Sequence, residues 1–163
     1  MKNFDTLFLD RDGVINIKIE NQYISRFSDF IFIPGVLFAI RDLSVLFKRI
    51  IIVTNQQGVG KGLMSEEDLN LVHKKMIFNI QDAGGRIDKI YYCPHLESDN
   101  CLCRKPRPGM IKNAIIDFPE IKIDHSYLVG DSDSDIEAGR IMQLKTIKVD
   151  NNYTLEKWVI DLF

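Results

Sequence analysis

The sequence predicts an α/β fold in which a three-layer, Rossmann-like parallel sheet carries helices on both faces. Short apolar runs alternate with amphipathic stretches along the 163 residues, with no internal repeat and no low-complexity linker. Strands separated by single helices favour parallel pairing with right-handed crossovers. The length fits one domain over residues 1–163, large enough to bury roughly two thirds of its unfolded surface.

The elements are predicted from apolar spacing and from helix start and stop signals. Apolar runs typical of strands occupy residues 6–10, 50–53, 90–93, 127–129 and 146–149. Helices are predicted to open after Pro34-Gly35, at Ser65 in a capping-box sequence, and at Pro108. A further helix covers 136–142, and the apolar edge of the tail 155–163 is typical of a capping helix.

Polar residues follow three of the predicted strands, where parallel sheets bind their ligands. Asp10 and Asp12 come after the first strand, and Asp131 comes after the fourth. Two carboxylates one residue apart can divide the work of attacking phosphorus and transferring a proton, although a solvated turn is the alternative for this short motif alone. Asp10 and Asp131 are also suited to holding Mg²⁺ together with substrate phosphate oxygens.

A second metal site is predicted from cysteine spacing. Cys93, His95, Cys101 and Cys103 stand within eleven residues, and the odd number of cysteines does not fit a disulfide framework. Three thiolates and one imidazole form the ligand set of a closed, structural zinc site, with free thiols as the alternative. We expect Zn²⁺ to fold the zinc loop, residues 93–108, so that the basic pair after Cys103 reaches the mouth of the sheet.

Four motifs, at residues 9–16, 53–56, 104–106 and 130–135, resemble those of the haloacid dehalogenase (HAD) superfamily of phosphatases, in the same order. The match runs from residue 7 to about residue 149. The resemblance implies that Asp10 is the nucleophile, Asp12 the general acid/base, and Thr54 and Lys105 the residues that hold the transferring phosphoryl group. It also implies a Mg²⁺ site made by Asp10, the Asp12 carbonyl and Asp131.

The zinc loop and the basic pair within it resemble two related families, the heptose bisphosphate phosphatases and the histidinol-phosphate phosphatases. Residues 54–58, 91–95 and 104–110 favour the heptose family, which implies hydrolysis of the 7-phosphate of D-glycero-D-manno-heptose 1,7-bisphosphate. The five-residue spacer between His95 and Cys101 resembles the histidinol family, and Ser132 stands where heptose enzymes commonly carry lysine. A polynucleotide 3′-phosphatase and a non-enzymatic zinc-stapled binding domain are the weaker alternatives.

No large cap domain is predicted, because only the flap, residues 17–33, separates the first motif from the first helix. Substrate contacts are therefore expected from the flap, the zinc loop and a flexible loop at residues 56–64. The candidate substrate-binding residues are Tyr23, Asn55, Gln56, Arg104 and Ser132. A surface ion pair is the alternative for Arg104, and closure of the flap on the core is the alternative for Tyr23. Surface or helix-terminal roles are expected for His73 and His125.

Composition narrows the class of partner. A hydrophobic content of 45%, a charged content of 27% and a formal net charge of −2 are ordinary for a soluble globule and favour neither nucleic acid nor membrane. We expect a small phosphorylated sugar as the substrate and a monomer. Residues 1–6 show no apolar stretch of signal-peptide length, and no segment approaches the roughly 20 apolar residues that cross a bilayer, so a cytoplasmic location is predicted.

Overall fold

A computed structural model of the chain describes residues 4–163 and confirms the predicted fold class. Five strands form one parallel sheet in the order β3-β2-β1-β4-β5. The strands are β1 (Phe4–Leu9), β2 (Phe47–Asn55), β3 (Lys89–Cys93), β4 (Tyr127–Gly130) and β5 (Lys145–Lys148). Every neighbouring pair is parallel, so the carboxyl ends of all five strands lie at the same edge.

Helices cover both faces of the sheet and make the outer two layers. They are α1 (Val36–Leu46), α2 (Gln57–Gly60), α3 (Glu66–Asp82), α4 (Gly109–Asp117), α5 (Asp133–Ile141) and α6 (Leu155–Leu162). On one face, Leu7 and Leu9 of β1 share a core with buried residues of α1, α3 and α6. On the other face, Phe8 shares a second core with α4 and α5. This alternation along β1 is the period of two that buries a central strand on both faces.

The helix starts predicted from capping signals are confirmed. The Ser65 hydroxyl accepts a hydrogen bond from the Asp68 amide at 3.0 Å, and the Asp68 carboxylate accepts one from the Ser65 amide at 3.1 Å. The two bonds form a capping box at the start of α3. Helix α6 buries Leu155, Trp158 and Val159 against the core, as its apolar edge predicted.

Several boundaries differ from the expectations by one to three residues, among them the start of α5, at Asp133 rather than 136, and the start of β2. Strand β2 begins at Phe47, three residues before the predicted start, and follows directly on α1. Phe47 extends the strand because its buried ring packs on Phe4, Tyr127 and Trp158. Residues 57–60, predicted as part of a flexible loop, form the short helix α2, which a hydrogen bond from the Gly60 amide to the Pro94 carbonyl attaches to the start of the zinc loop.

The flap is an irregular segment whose two ends are fixed on the loop after β1. The Ile17 amide donates to Ile31, and the Ile33 amide donates to Ile15, at 2.8 and 2.9 Å. Phe30 is buried within the flap, with its ring against those of Phe27 and Phe32. Within residues 4–163 the flap, α2 and the zinc loop surround the carboxyl edge of the sheet. None of the helices in this range combines the length and apolar character needed to cross a membrane.

Candidate active site

The carboxyl ends of β1, β2 and β4 enclose a cavity of about 230 Å³. The cavity is lined by most of the residues predicted for the site, namely Asp10, Asp12, Tyr23, Asn55, Gln56, Arg104, Lys105, Asp131 and Ser132. Thr54 lies at the end of β2 as a fully buried residue beneath this lining. Parallel pairing brings these side chains together from positions far apart in the sequence.

Three carboxylates and one ammonium form the floor of the cavity. One oxygen each from Asp10, Asp131 and Asp135 lies within 4.8 Å of the others. The Lys105 ammonium is buried, and its three protons reach Asp10 Oδ1 at 3.0 Å, Asp135 Oδ1 at 2.5 Å and the Val53 carbonyl at 2.7 Å. Three carboxylates beside one ammonium leave two negative charges, which a divalent cation would balance.

The two carboxylates that follow β4 differ in their free lone pairs. Asp135 accepts three hydrogen bonds besides one from Lys105; the donors are the amides of Asp131 and Ser132, each at 3.1 Å, and the Ser132 hydroxyl at 2.9 Å. By contrast, Asp131 Oδ1 is buried and has no hydrogen-bond partner among the described residues. An unpartnered buried carboxylate oxygen fits a ligand of a hard cation, so the residues present fit Mg²⁺.

Over its two oxygens Asp135 accepts four hydrogen bonds in all, three on Oδ2 from the loop after β4 and one on Oδ1 from Lys105. Asp135 therefore holds the Asp131 loop from behind. The same contacts give the Ser132 hydroxyl a structural use, because it caps α5 by accepting from the Asp135 amide at 3.3 Å. Ser132, predicted from the sequence as a substrate-binding residue, thus also caps a helix.

The charges on the floor are strongly coupled. Burial raises the pKa of Asp10 well above its ordinary value; Lys105 opposes the shift, and the neighbouring carboxylates add to it. Burial disfavours charge on Lys105, but the carboxylates of Asp10 and Asp135 together outweigh it and raise the pKa of the ammonium. Burial also raises the pKa of Asp131. A bound cation would reverse the shifts on the two carboxyls, because opposite charge favours the ionised form.

Gly13 lets the loop after β1 approach Asp131. Its φ is +85°, in the left-handed region, and a Cβ at this position would lie 2.2 Å from Asp131 Oδ2. Any other residue would therefore have to displace the carboxylate as well as adopt a strained backbone.

Asp12 is held by three donors on the wall of the cavity. Its carboxylate accepts hydrogen bonds at 2.9 Å from the side chains of Arg11, Asn16 and Gln56. Burial works against ionisation, but Arg11 and these hydrogen bonds outweigh it and lower the pKa of Asp12. In the free protein Asp12 is therefore an ionised carboxylate in a fixed orientation.

Two side chains behind Asp12, those of Arg11 and His73, were not predicted as part of the site. Arg11 is fully buried, and its Nη1 lies 3.0 Å from Nε2 of His73. The expectation of a surface or helix-terminal role for His73 is wrong, because this side chain is 5% exposed in the middle of α3. A signal was present in the sequence, since His73 shares the helical face of Leu69, Met76 and Ile80.

The end of β2 supports the neighbouring loops. The Gln56 side chain is buried and donates through Nε2 to both Asp12 and the Thr54 hydroxyl, at 2.9 Å each. Asn55 exchanges two hydrogen bonds with the backbone of Lys105, at 3.0 and 3.2 Å. These contacts give Asn55 and Gln56 positioning functions at the site in addition to the substrate contacts predicted for them.

The rim of the cavity joins the flap to the zinc loop through one side chain. Gln57 of α2 donates to the Tyr23 hydroxyl at 3.3 Å and accepts from the Glu97 amide at 2.9 Å. The Lys61 ammonium lies 5.3 Å from the centre of the Tyr23 ring. The hydrogen bond from Gln57 and the charge of Lys61 lower the pKa of Tyr23.

Arg104 Nη1 is buried without a hydrogen-bond partner in the described part of the chain, which leaves a guanidinium donor for a ligand.

The four predicted zinc ligands converge beside this rim. One ligand atom from each of Cys93, His95, Cys101 and Cys103 lies within 4.8 Å of the other three. His95 Nδ1 is 3.2 Å from Cys103 Sγ and 3.5 Å from Cys93 Sγ, and Cys93 Sγ is 3.5 Å from Cys101 Sγ. Three thiols and one imidazole gathered this closely form the donor set of a closed zinc site, so the residues present fit Zn²⁺.

The Cys/His cluster is attached to the carboxyl edge of the sheet. Cys93 is the last residue of β3 and is paired in register with Asn55 of β2. The Gln56 amide donates to the Cys93 carbonyl at 2.8 Å. At the other end of the loop, Cys103 is followed directly by Arg104 and Lys105. Folding of the zinc loop therefore sets the position of both basic residues.

Comparisons with known proteins agree with this geometry. A family model for HAD-hydrolase-like proteins matches residues 102–161. A protein of Mycobacterium tuberculosis named D-glycero-alpha-D-manno-heptose-1,7-bisphosphate 7-phosphatase is 42% identical over 131 residues, which are 80% of this chain and 69% of the relative. A protein of Pseudomonas putida named as the corresponding beta enzyme is 36% identical over 156 residues, which are 94% of this chain and 88% of the relative.

Solved structures give the same result. The crystal structure of D,D-heptose 1,7-bisphosphate phosphatase from B. bronchiseptica, complexed with magnesium and phosphate, matches with a TM-score of 0.85 and 30% identity. The match covers 98% of this chain and 87% of that one. The sheet, the acidic floor and these similarities define a hydrolase of the HAD-like class. Within that class, the chain belongs to the family of the heptose-1,7-bisphosphate 7-phosphatases.

Proposed function

We propose that the protein is a Mg²⁺-dependent phosphatase that removes the 7-phosphate from D-glycero-D-manno-heptose 1,7-bisphosphate through an aspartyl-phosphate intermediate. The observation that carries the proposal is the placement of Asp10 and Asp131 beside the buried Lys105, with Asp12 on the wall above them. Relatives and a solved structure named for this reaction favour the heptose substrate over histidinol phosphate.

In the first step a carboxylate oxygen of Asp10 attacks phosphorus, and the bond between phosphorus and the sugar oxygen breaks. Asp12, which takes up a proton from solvent as the substrate binds, gives that proton to the departing oxygen. The low pKa of Asp12 in the free protein rises when a phosphate dianion arrives beside it, because like charges disfavour ionisation. In the second step Asp12 takes a proton from water, whose oxygen bonds to phosphorus while the bond to Asp10 breaks.

The cation and the basic residues stabilise the transferring group. Asp10, the Asp12 backbone carbonyl and Asp131 would hold Mg²⁺, which would neutralise charge that develops on the phosphoryl oxygens. The Thr54 hydroxyl accepts from Gln56, so its own proton is available to a phosphoryl oxygen. All three protons of Lys105 already have acceptors, and this residue therefore acts on the phosphoryl group mainly through its charge.

Substrate selection is proposed for the rim. The unpartnered Nη1 of Arg104 would bind the distal phosphate at C1 or the sugar, where a bidentate guanidinium suits a phosphate. Tyr23, which lines the cavity from the flap, would contact the sugar. Asn55, Gln56 and Ser132 also line the cavity, and their side chains combine any substrate contact with the structural hydrogen bonds described above.

We also propose that the Cys/His cluster binds a structural Zn²⁺ and that the flap, the zinc loop and the sheet form one HAD-like domain over residues 1–163. Thiolate ligands persist in a reducing compartment, which suits a monomeric cytoplasmic enzyme acting on a small metabolite. A polynucleotide substrate and a non-enzymatic binding domain are less favoured by the comparisons than the sugar phosphatase.

The test is phosphate release by the purified protein from the alpha and beta anomers of the heptose 1,7-bisphosphate and from histidinol phosphate, with and without Mg²⁺. We expect Mg²⁺-dependent turnover of a heptose anomer, with kcat/KM at least about tenfold above that for histidinol phosphate. Phosphorus NMR of the product should show that the phosphate at C1 remains. A preference for histidinol phosphate would overturn the substrate assignment, and no turnover of any ester would overturn the enzymatic function.

A further inference from the structure

Arg11 is the largest fully buried side chain in the described part of the protein, and it carries a charge. A buried guanidinium is costly unless its protons find acceptors. Nη2 donates to Asp12 Oδ1 at 2.9 Å, Nη1 lies 3.0 Å from His73 Nε2, and the group sits 5.8 Å from the centre of the Phe30 ring. Within residues 4–163, Nε has no hydrogen-bond partner. Asp12 and His73 are therefore the two polar contacts that orient the guanidinium.

His73 faces Arg11 as a neutral acceptor. Burial, together with the nearby positive charge of Arg11, lowers the pKa of His73 to about 3. The unprotonated Nε2 can then accept from Nη1, which leaves the proton of the neutral ring on Nδ1. The ring is also 6.3 Å from that of Tyr92 on β3, so packing restricts its orientation. A rigid helix of 17 residues thus presents a fixed acceptor to Arg11.

We propose that His73 is a positioning residue for the general acid/base of the reaction, acting through Arg11 on the orientation of Asp12. The inference rests on the proposed function, in which Asp12 donates the proton to the leaving group. His73 is separated from Arg11 by 62 positions in the sequence. It reaches the site only because α3 packs on the sheet face to which Leu7 and Leu9 of β1 point.

The consequence of removing the acceptor follows from these contacts. Without His73 Nε2, the buried Nη1 proton has no partner, and the guanidinium must turn or admit water to satisfy it. Either change weakens the bond from Nη2 to Asp12. Asn16 and Gln56 would still hold Asp12, so the carboxylate would lose its fixed direction without leaving the cavity.

The experiment uses the dependence of the rate on the leaving group. A sugar alkoxide needs a proton as it departs, whereas p-nitrophenolate is a stable anion that does not. The value of kcat/KM reports steps up to formation of the aspartyl-phosphate, so it isolates proton donation from the later hydrolysis. The ratio of variant to wild-type kcat/KM is measured for the heptose bisphosphate and for p-nitrophenyl phosphate.

The variants are His73→Leu, His73→Gln, Asp12→Asn and the exposed control His125→Leu. Leucine fills the site, which matters because His73 also lines a groove of about 880 Å³ along α3. We expect His73→Leu to lower kcat/KM at least about tenfold for the sugar phosphate and less than about threefold for p-nitrophenyl phosphate. Glutamine, whose Oε1 can accept from Arg11, should restore most of the loss. His125→Leu should change neither value.

Asp12→Asn separates failure of this inference from failure of the proposed function. Suppose that Asp12→Asn shows the leaving-group-dependent loss but His73→Leu lowers kcat/KM equally for both substrates. His73 then has only a structural role, and the inference is overturned. If Asp12→Asn shows no such dependence, the proposed role of Asp12 fails first. In an Arg11→Leu background, His73→Leu should cause no further loss, and an additive loss would contradict action through Arg11.

Discussion

Lys105 Nζ lies 3.0 Å from Oδ1 of Asp10, with both groups buried at the edge of the sheet. These residues are 95 positions apart, and Cys103, the last of the four proposed zinc ligands, stands immediately before the basic pair that contains Lys105. The nucleophile proposed for the reaction and the structural metal proposed for the loop are therefore linked through a single short segment.

Cys101→Ser should lower both zinc content and stability, because a structural zinc site contributes free energy to folding. We expect less than about half of the wild-type zinc stoichiometry and a loss of at least about 2 kcal/mol in the free energy of unfolding. The checks are metal analysis and denaturant titration. Leu102→Ala, at a neighbouring residue that is 80% exposed, is the matched control. Unchanged zinc content in Cys101→Ser would refute the ligand set.

Gln57→Ala should weaken substrate binding more than chemistry, because it disconnects the flap from the zinc loop at the rim. Without the Gln57 amide, no side chain bridges Tyr23 and Glu97 in this way. We expect KM for the heptose bisphosphate to rise about three- to tenfold while kcat stays within about threefold. Steady-state kinetics of this variant and of Gln81→Ala, on the exposed part of α3, test the effect. Equal KM values in both variants would show that the bridge does not shape the site.

Gly13→Ala should raise the Mg²⁺ concentration needed for activity. The added Cβ would displace Asp131 Oδ2, and the left-handed φ adds strain. Gly62 is a matched control, because it also has a positive φ, of +70°, but a Cβ there meets nothing within 4 Å. We expect Gly62→Ala to cost about 1 kcal/mol of stability with no change in Mg²⁺ dependence. In Gly13→Ala, the Mg²⁺ concentration that gives half-maximal activity should rise at least about tenfold. Identical Mg²⁺ activation curves for Gly13→Ala and wild type would show that Asp131 is not a ligand.

The stability of the protein should depend on the ionisation of His73. Its folded pKa, about 3, lies below the unfolded value of about 6.5, so the unfolded state binds more protons between these values. This contribution is fully present above about pH 6.5 and is lost as the pH falls, at about 1.4 kcal/mol per unit. Denaturant titration from pH 6.5 to 4.5 should therefore show a steeper loss for wild type than for His73→Gln. Parallel slopes would contradict a buried neutral histidine.

Much of the site could be predicted because its residues follow strand ends. Asp10 and Asp131 come directly after apolar runs, and parallel pairing brings such positions together whatever their separation in sequence. The gathering of Cys93, His95, Cys101 and Cys103 was predictable for a different reason, since these residues are close in sequence and their chemistry is distinctive.

The contact of Arg11 with His73 and the contact of Gln56 with Asp12 were not predictable in the same way. The surface or helix-terminal role expected for His73 overlooked its helical spacing with Leu69 and Met76, and which side chain it meets depends on how α3 is rotated and packed on the sheet. The orientation of Gln56 toward Asp12 depends likewise on the turn from β2 into α2, which the sequence analysis treated as a flexible loop. These features depend on tertiary packing rather than on local pattern.

Asp10→Asn tests the central proposal most directly, because it removes the proposed nucleophile while keeping nearly the same shape. The measurement is Mg²⁺-dependent phosphate release from the heptose 1,7-bisphosphate, with thermal unfolding of each protein as the check on folding. Asp133→Asn, at an exposed carboxylate of α5, is the matched control. We predict that Asp10→Asn lowers kcat by at least about 10³-fold and remains folded, while Asp133→Asn stays close to wild type. Near-full activity of folded Asp10→Asn would contradict the aspartyl-phosphate mechanism.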